Sequence, residues 1–440
     1  MRLKRSSPWC GSALLAGLAL GNAAQAQGLQ ALYDAARAFD PTYLSARALA
    51  DSAQYRIAQV EALQKPSAAL SANATYTQLG QPRIGSGDSN AIGSTVNGRY
   101  PLLNRANDIS VDQARKSLAS AQADLDTAEQ DLILRLAQGY FDVLASQDSL
   151  GTTQAGKKAI TEQLASAKRN FEVGTATITD TREAQARFDL ATAQELAAAN
   201  DLRTKRIALD QLVGRSGVTP LPLATPVLLP PVLPANADEW VSVALAQHPA
   251  MRRTRVAYEV AQLETRKARA GEAPTVDAVG SAGLTRSSGS SASLPGFTRQ
   301  ATLGVQLNWP LYTGGATQNR IKETLVLEEK SRRDVDAVSG SIAQGTRVAY
   351  FGVLSGGAQV AALEAAESSS KLALEATQLG YKVGVRVNLD VLNAQTQLFQ
   401  TQRDLAKARY DVLVGGLRLR QASGQLSAAD IDVVNRLITK

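Results

Sequence analysis

The sequence predicts a mainly α-helical fold with a small β part, assembled from two similar halves. Three observations support this prediction. The 68 residues from Asn104 to Phe171 contain no proline and carry apolar residues at helical spacing. Four shorter segments alternate apolar and polar side chains, as strands do. Landmark residues of the first half recur in the second about 210 positions later, which indicates an internal duplication.

The chain begins with a segment that has the features of a secretory signal peptide, predicted to span residues 1–26. Arg2, Lys4 and Arg5 form a basic start, a short apolar run follows, and Ala24-Gln25-Ala26 offers a small-x-small cleavage pattern. A membrane-anchoring helix is the alternative, but the apolar run is shorter than the ~20 residues that a bilayer span requires. No later segment is expected to cross a membrane as a helix.

The composition weighs against catalysis, cofactors and nucleic acid. The 440 residues include one histidine and one cysteine, and the net charge is +7. The usual zinc sites need three or four ligands, and a disulfide needs two cysteines. A hydrolytic triad would depend on His248, which precedes a proline and is better explained as a residue at a helix start. We therefore expect no enzyme, no cofactor, no metal and no nucleic-acid partner.

The two halves are related by landmarks at a nearly constant spacing, 208 positions for the first pair and 210 for the others. The recurring pairs are Asp40-Pro41 and His248-Pro249, Tyr140-Phe141 and Tyr350-Phe351, and Val173-Gly174 and Val383-Gly384. Six of the fifteen prolines lie between Thr219 and Pro234, where they favour a stiff, extended crossover. We predict a first repeat at 27–218, a proline-rich linker at 219–237 and a second repeat at 238–440.

The long helices are predicted to pack as coiled coils, because apolar residues recur every seven positions. In the first half these residues are Val111, Leu118, Leu125 and Leu132. In the second half they are Val391, Leu398, Leu405, Val412 and Leu419. An ordinary soluble helical bundle is the alternative.

Four segments, near 67–79, 94–103, 275–286 and 299–312, are predicted to be β-strands. Each is about ten residues long and alternates apolar with polar side chains, as the strands of membrane β-barrels do. The aromatic residues expected at the membrane interface are Tyr76, Tyr100, Trp309 and Tyr312. The Gly/Ser-rich stretches Gly80–Gly93 and Ser287–Gly296 are expected to be long exposed loops.

Four strands cannot close a membrane-spanning barrel, because lipid leaves the polar groups of an open sheet edge unsatisfied. The barrel must then be shared between chains. Two copies would give eight strands and a lumen filled by side chains, whereas three would give twelve strands and room for water. Helices about 100 Å long beneath such a barrel favour a conduit over a plug.

The doubled plan and two related segments resemble the TolC family of outer-membrane channel-tunnel proteins over essentially the whole chain. The segments begin at Phe171-Glu-Val-Gly and Tyr381-Lys-Val-Gly. The resemblance implies a homotrimer in the outer membrane of a Gram-negative cell, with a shared twelve-stranded barrel in lipid and an α-helical barrel in the periplasm. It also implies partnership with a periplasmic adaptor and an inner-membrane ABC or proton-driven transporter, to export proteins or small toxic compounds.

The same resemblance assigns roles to residues at the two turns. Val173, Gly174, Val383 and Gly384 stand where adaptors dock at the periplasmic tip. The next group stands where the family holds the tip shut by bonds to the neighbouring coil: Tyr381, Arg386, Thr179 and Asp180. Alternatively, the turns have no docking function, and Asp180 with Glu183 forms a helix cap.

Asp390 stands where the family lines its constriction with an aspartate, so that a trimer would carry three converging carboxylates. A second aspartate usual three residues later is replaced by Asn393. The resemblance therefore implies one charged and one neutral ring, with weaker block by cations than two charged rings would give. Alternatively, Asp390 favours a helix N-terminus by its charge alone.

A periplasmic coiled-coil scaffold or adaptor that never enters the bilayer is the competing function. Its strands would form a small soluble sheet. The sequence leaves the exported cargo undetermined, because protein secretion and the efflux of drugs or metals use the same conduit.

Overall fold

The computed structural model describes residues 28–81, 85–224, 227, 229–289 and 295–438. The predicted signal peptide lies outside the described residues. In chain order the elements are helices α1 (Leu29–Phe39) and α2 (Pro41–Glu61), strands β1 (Ser67–Gln81) and β2 (Gly85–Leu103), helices α3 (Arg105–Glu172), α4 (Ile178–Val213), α5 (Ala237–Gln247) and α6 (Pro249–Ala270), strands β3 (Thr275–Ser288) and β4 (Gly296–Asn308), and helices α7 (Ala316–Lys382), α8 (Asn388–Ala422) and α9 (Ala428–Asn435).

Each half repeats one plan: two short helices, a pair of strands, then a very long helix and a shorter one. The predicted duplication and the mainly helical composition are confirmed. At 1.5 Å per residue, the 68-residue α3 and the 67-residue α7 are each about 100 Å long. α3 packs against α4, and α7 packs against α8.

The paired landmarks Asp40 and His248 both begin a helix, as expected. The Asp40 carboxylate accepts the N–H of Tyr43 at 2.8 Å, and Nδ1 of His248 accepts the N–H of Ala250 at 3.1 Å. Burial favours a raised pKa for Asp40, but bonds from Arg135 and from Tyr43 outweigh it and lower the pKa. Burial lowers the pKa of His248, which favours the neutral, accepting imidazole. His248 is therefore a helix cap.

The four strands form one antiparallel sheet in the order β1-β2-β3-β4. The hairpin of the first half, β1-β2, and the hairpin of the second half, β3-β4, are joined into one sheet because β2 pairs with β3. This pairing runs from Asn90↔Ser288 to Leu103↔Val276. A register shift between Pro101 and Leu103 interrupts the ladder at the helical end. Strands β1 and β4 are the edges.

The predicted strand limits need correction at both ends of the sheet. Most of the expected loop Gly80–Gly93 belongs to strands, since β1 and β2 pair to Gln81↔Gly85. Glycine and serine still supply the main-chain groups that a ladder needs. Strand β4 ends at Asn308, so Tyr312 follows the strand instead of ending it. Pro310 has no N–H to donate.

The heptad positions of the second half form a buried seam. Their exposed fractions are all below 8%, and the residues are Val391, Leu398, Leu405, Val412 and Leu419. In the first half Val111 and Leu132 are buried, whereas Leu118 and Leu125 are half-buried. The largest apolar core lies midway along the helices, where Tyr140 and Phe141 of α3 meet Tyr410 of α8. Predicted coiled-coil packing is thus confirmed most clearly in α8.

Helix α7 departs from the expectation that no later segment could cross a membrane as a helix. Among the helices described, α7 contains a stretch long and apolar enough to do so by length and composition, and only 17% of that stretch is buried. The same helix carries a second heptad stripe. It faces away from α8 and is exposed in the single chain: Phe351, Ala358, Ala365, Leu372 and Leu379.

Candidate functional site

The two long helices end in nearly identical turns, which form the tip of the helical part. At each turn a valine closes the helix and a glycine follows with positive φ, +77° at Gly174 and +82° at Gly384. The N–H of Thr175 then bonds Asn170 O at 2.8 Å, and that of Val385 bonds Gly380 O at 2.9 Å. Such left-handed closure favours glycine because it has no Cβ.

The valines of these turns are not buried by any of the described residues. Val173 is 72% exposed and Val383 is 65% exposed. A Cβ added at Gly174 or at Gly384 would meet no described atom within 4 Å. The glycines are thus required by backbone conformation and not by space, and the valines remain available for contact.

The helix that follows each turn starts differently. At α4 a capping box forms, in which Thr177 Oγ1 accepts the N–H of Asp180 and the Asp180 carboxylate accepts the N–H of Thr177 at 2.9 Å. Asp180 is therefore part of a cap, but with Thr177 and not with Glu183. At α8 the first residue follows Val387, which provides no side-chain cap.

The residues predicted to hold the tip shut are not brought together within one chain. The Tyr381 hydroxyl accepts a hydrogen bond from Asn170 Nδ2 at 3.2 Å, while the Asp180 carboxylate is engaged by Thr177. Thr179 is exposed, and the Arg386 guanidinium, in the turn before α8, lies 3.6 Å from the Asp390 carboxylate in the first turn of that helix. Among the described residues of one chain, neither Tyr381 nor Arg386 bonds Thr179 or Asp180.

Asp390 lies in the first turn of α8, and its N–H bonds Val387 O at 3.1 Å. A carboxylate at this place is favoured by the helix dipole. Asn393, one turn further along, is exposed, and its Oδ1 accepts a hydrogen bond from Arg187 Nη2 of α4 at 2.9 Å. The neutral Asn393 is therefore bonded to a cationic side chain. The sequence analysis did not predict this contact.

A buried polar contact at the start of α8 was also missed. Asn388 is 3% exposed, and its Oδ1 accepts a hydrogen bond from Gln163 Nε2 of α3. Together with the contacts of Asn170 and Arg187, it joins the end of α7 and the start of α8 to the other coiled coil. These partners are 206 to 225 residues apart in sequence, so no local pattern could reveal them.

The sheet has one apolar and one polar face. One row across the four strands is Leu70, Val96, Ala282 and Ala301. The neighbouring row, pointing to the other face, is Ala69, Asn97, Ser281 and Thr302. Ser281 and Thr302 share a hydrogen bond of 3.0 Å. This alternation is that of a strand with lipid on one side and water on the other.

The predicted interfacial aromatic residues lie at both ends of the sheet and are exposed. Tyr76 is near the hairpin end, where it pairs with Asn90, and Tyr100 is near the helical end, where it pairs with Ala278. Trp309 follows β4, and its indole N–H bonds Glu272 O at 3.1 Å. Tyr312 is 88% exposed beyond the strand. Their role at a membrane interface stays a prediction.

Comparisons with known proteins agree with this architecture. A family model for outer membrane efflux proteins matches residues 32–215 and 240–425, one match in each half. The chain is 31% identical over 419 residues to the outer membrane protein TolC of Vibrio cholerae, covering 94% of this chain and 95% of that protein. It is 34% identical over 311 residues to the alkaline protease secretion protein AprF of Pseudomonas aeruginosa, covering 69% of this chain and 64% of that protein.

A solved structure shares the fold. The outer membrane protein VceC of Vibrio cholerae matches with a TM-score of 0.75 and 19% identity, covering 90% of this chain and 96% of that chain. Long helices beneath a two-faced sheet thus define an outer-membrane channel for efflux or secretion. The chain belongs to the outer membrane efflux protein family, and it lies in the outer membrane with a long periplasmic portion. The alternative of a scaffold that avoids the bilayer does not fit this family.

Proposed function

We propose that three copies of this chain form a closed duct through the outer membrane, with a shared twelve-stranded barrel. The observation that carries this proposal is the pair of open edges on a sheet with an apolar face. Strands β1 and β4 leave a row of main-chain groups unpaired within the chain, and hydrocarbon does not tolerate such an edge. Pairing β4 of one copy with β1 of the next removes every edge, and three copies leave a water-filled lumen.

The mass of the detergent-extracted protein tests this assembly. Membranes are separated by density, and the protein is extracted and its mass measured with the detergent contribution subtracted. We expect the protein to be found in the outer-membrane fraction and to have the mass of three chains after extraction. Two chains would indicate a barrel of eight strands with a filled lumen, and a monomer released without detergent would contradict the duct.

The tip of this duct is proposed to be its gate, held shut by Tyr381 and Arg386. In support, both residues lie beside the turn at which α7 ends, and the Tyr381 hydroxyl already bonds the other coiled coil through Asn170. Hydrogen bonds donated by a guanidinium and a phenol hold coils in register only while donor and acceptor both remain.

Single-channel conductance in planar bilayers measures the gate. We expect the double variant Tyr381→Phe, Arg386→Ser to conduct several-fold more than the unaltered protein, because both donors to the neighbouring coil are removed. Asn170→Ala is the matched variant, and it loses only the bond to Tyr381 within the chain. Equal conductance in all three proteins would show that these side chains do not hold the tip.

The exposed valines of the two turns are proposed to bind a periplasmic adaptor, which connects the duct to an inner-membrane transporter. We further propose protein secretion as the first candidate for its cargo, since the similar protein AprF is named for the secretion of alkaline protease. The transporter that co-purifies after cross-linking at the turns identifies the system. An ABC transporter would favour protein cargo, whereas a proton-driven pump would favour small toxic compounds.

A further inference from the structure

Two arginines lie on the apolar face of the sheet near its hairpin end. Arg286 of β3 pairs with Phe297 of β4, and Leu284 pairs with Arg299, so that the arginines are diagonal neighbours on adjacent strands. Diagonal neighbours in an antiparallel pair are about 7–8 Å apart. Both side chains are exposed, and the Arg299 guanidinium lies 5.6 Å from the centre of the Phe297 ring.

Neither arginine has an ion-pair partner among the described residues. The two carboxylates of the strands are Asp277 and Asp88. Asp277 lies on the opposite face, at the other end of the sheet, and pairs with Arg99 at 2.7 Å. Asp88 lies four residues beyond Ile92, the partner of Arg286, which corresponds to roughly 13 Å along β2. The edge strand β1, which a second copy would offer to β4, contains no Asp or Glu.

The arginines lie at the border of the apolar band farthest from the helices. Arg299 is ten residues from Trp309, a distance of about 33 Å along an extended strand. A strand tilt of about 40° reduces this to a height of about 25 Å, the usual height of the lipid-facing band. The long helices continue from the opposite end of the sheet, at Arg105 and Ala316. Since the helices are periplasmic, the arginines lie at the outer leaflet.

An unpaired guanidinium is costly in hydrocarbon but is well placed at the level of lipid phosphates. Guanidinium groups bind phosphate oxygens in pairs of parallel hydrogen bonds, and two such groups can hold two phosphates or clamp one. The outer leaflet of a Gram-negative outer membrane consists of a phosphorylated glycolipid. We propose that Arg286 and Arg299 form a binding site for the phosphates of this lipid, lipopolysaccharide, with Phe297 lying against its acyl chains.

The test measures lipid bound to the full-length purified protein after exhaustive delipidation in detergent. The probes are lipid A with both phosphates, lipid A with its phosphates removed, phosphatidylglycerol and inorganic phosphate. We expect the Arg286→Gln, Arg299→Gln variant to bind phosphorylated lipid A about tenfold more weakly than the unaltered protein. The Arg286→Lys, Arg299→Lys variant is expected to retain part of the affinity, since it keeps the charge but not the planar fork.

Matched controls separate this site from general attraction between charges. Arg266→Gln, Arg269→Gln removes two exposed arginines of α6 at the periplasmic side, and we expect it to bind phosphorylated lipid A as the unaltered protein does. Equal binding of phosphorylated and dephosphorylated lipid A would overturn the proposal. So would equal binding of phosphatidylglycerol, or equal lipid A binding by the glutamine variant. Conductance is expected to be unchanged in the glutamine variant, so failure here is distinguishable from failure of the proposed duct.

Discussion

At the scale of single residues, the charge around the start of α8 depends on four side chains of one chain. Asp390 supplies a carboxylate, Asn393 is neutral, and Arg187 adds a cation bonded to Asn393. Asp390 is itself accompanied by Arg386 at 3.6 Å. The constriction of the proposed trimer therefore has acidic and basic groups one helical turn apart, and not two successive acidic rings.

Replacing Asp390 is expected to change how strongly cations block the current through the channel. Asp390→Ala removes three converging carboxylates from a trimer, and we expect the concentration of a trivalent cation that blocks half the current to rise roughly tenfold. Asn393→Asp is the opposite change and is expected to strengthen the block. Current through planar bilayers, titrated with the cation, measures both. An identical blocking concentration in all three proteins would contradict the proposed ring.

The sequence predicted the tip residues themselves but not what they contact. Tyr381 and Asp390 were singled out by the family resemblance of the segment that contains the Val383-Gly384 turn. Tyr381, Asn393 and Asn388 accept hydrogen bonds from residues of the other half of the duplication, which are Asn170, Arg187 and Gln163 respectively. Contacts between halves depend on how two coiled coils are packed, and such packing leaves no spacing signal along the chain.

At the scale of elements, the turns are specified by backbone conformation. Gly384→Ala introduces a Cβ at a left-handed φ, which costs about 1–2 kcal/mol although the space around it is open. We expect faster hydrogen exchange at residues 380–388 in this variant, because the turn and the start of α8 open more often.

Gly340→Ala provides the matched control for this change. Gly340 lies in the interior of α7, and no described atom is within 4 Å of an added Cβ. Alanine is the better helix former, so exchange in α7 should slow, with a gain of up to about 1 kcal/mol. Faster exchange in both variants would mean that the added methyl group, and not the sign of φ, disturbs the helices.

The number of strands and the alternation of their side chains between two faces were predicted, but the strand lengths were not. Alternation identified all four segments, since lipid and lumen require opposite faces. It failed where glycine and serine replace apolar residues, as in Gly80–Gly93, because those residues pair through the main chain without marking either face. At the other end, the aromatic run after Asn308 continued the alternation beyond the last pair, Thr275↔Asn308.

At the scale of the whole molecule, the exposed stripe of α7 is the surface on which a second copy would pack in the proposed trimer. Phe351, Leu372 and Leu379 keep a spacing in multiples of seven on a face that α8 does not cover. A seven-residue repeat specifies packing against another helix. In the proposed trimer a helix of a neighbouring copy would cover it.

A charge in this stripe is expected to weaken the assembly. Leu372→Glu places a carboxylate in the seam, and we expect trimers to dissociate in detergent at a lower temperature than those of the unaltered protein, by several degrees. Ala373→Glu, a quarter turn away, is the matched control and should have little effect. Dissociation temperatures are measured by electrophoresis of heated samples. If the two variants dissociate alike, the stripe is not an interface.

The pairing of β2 with β3 also has a consequence for how the protein is made. Val96 and Ala282 are neighbours in the sheet, yet 186 residues separate them along the chain. During synthesis the first hairpin cannot pair with the second until the second half of the chain has emerged. Until then its apolar face is not covered by the second hairpin. Contacts so distant in sequence form slowly. Insertion of the barrel into the bilayer must therefore come late in biogenesis, after the complete polypeptide has reached the periplasm.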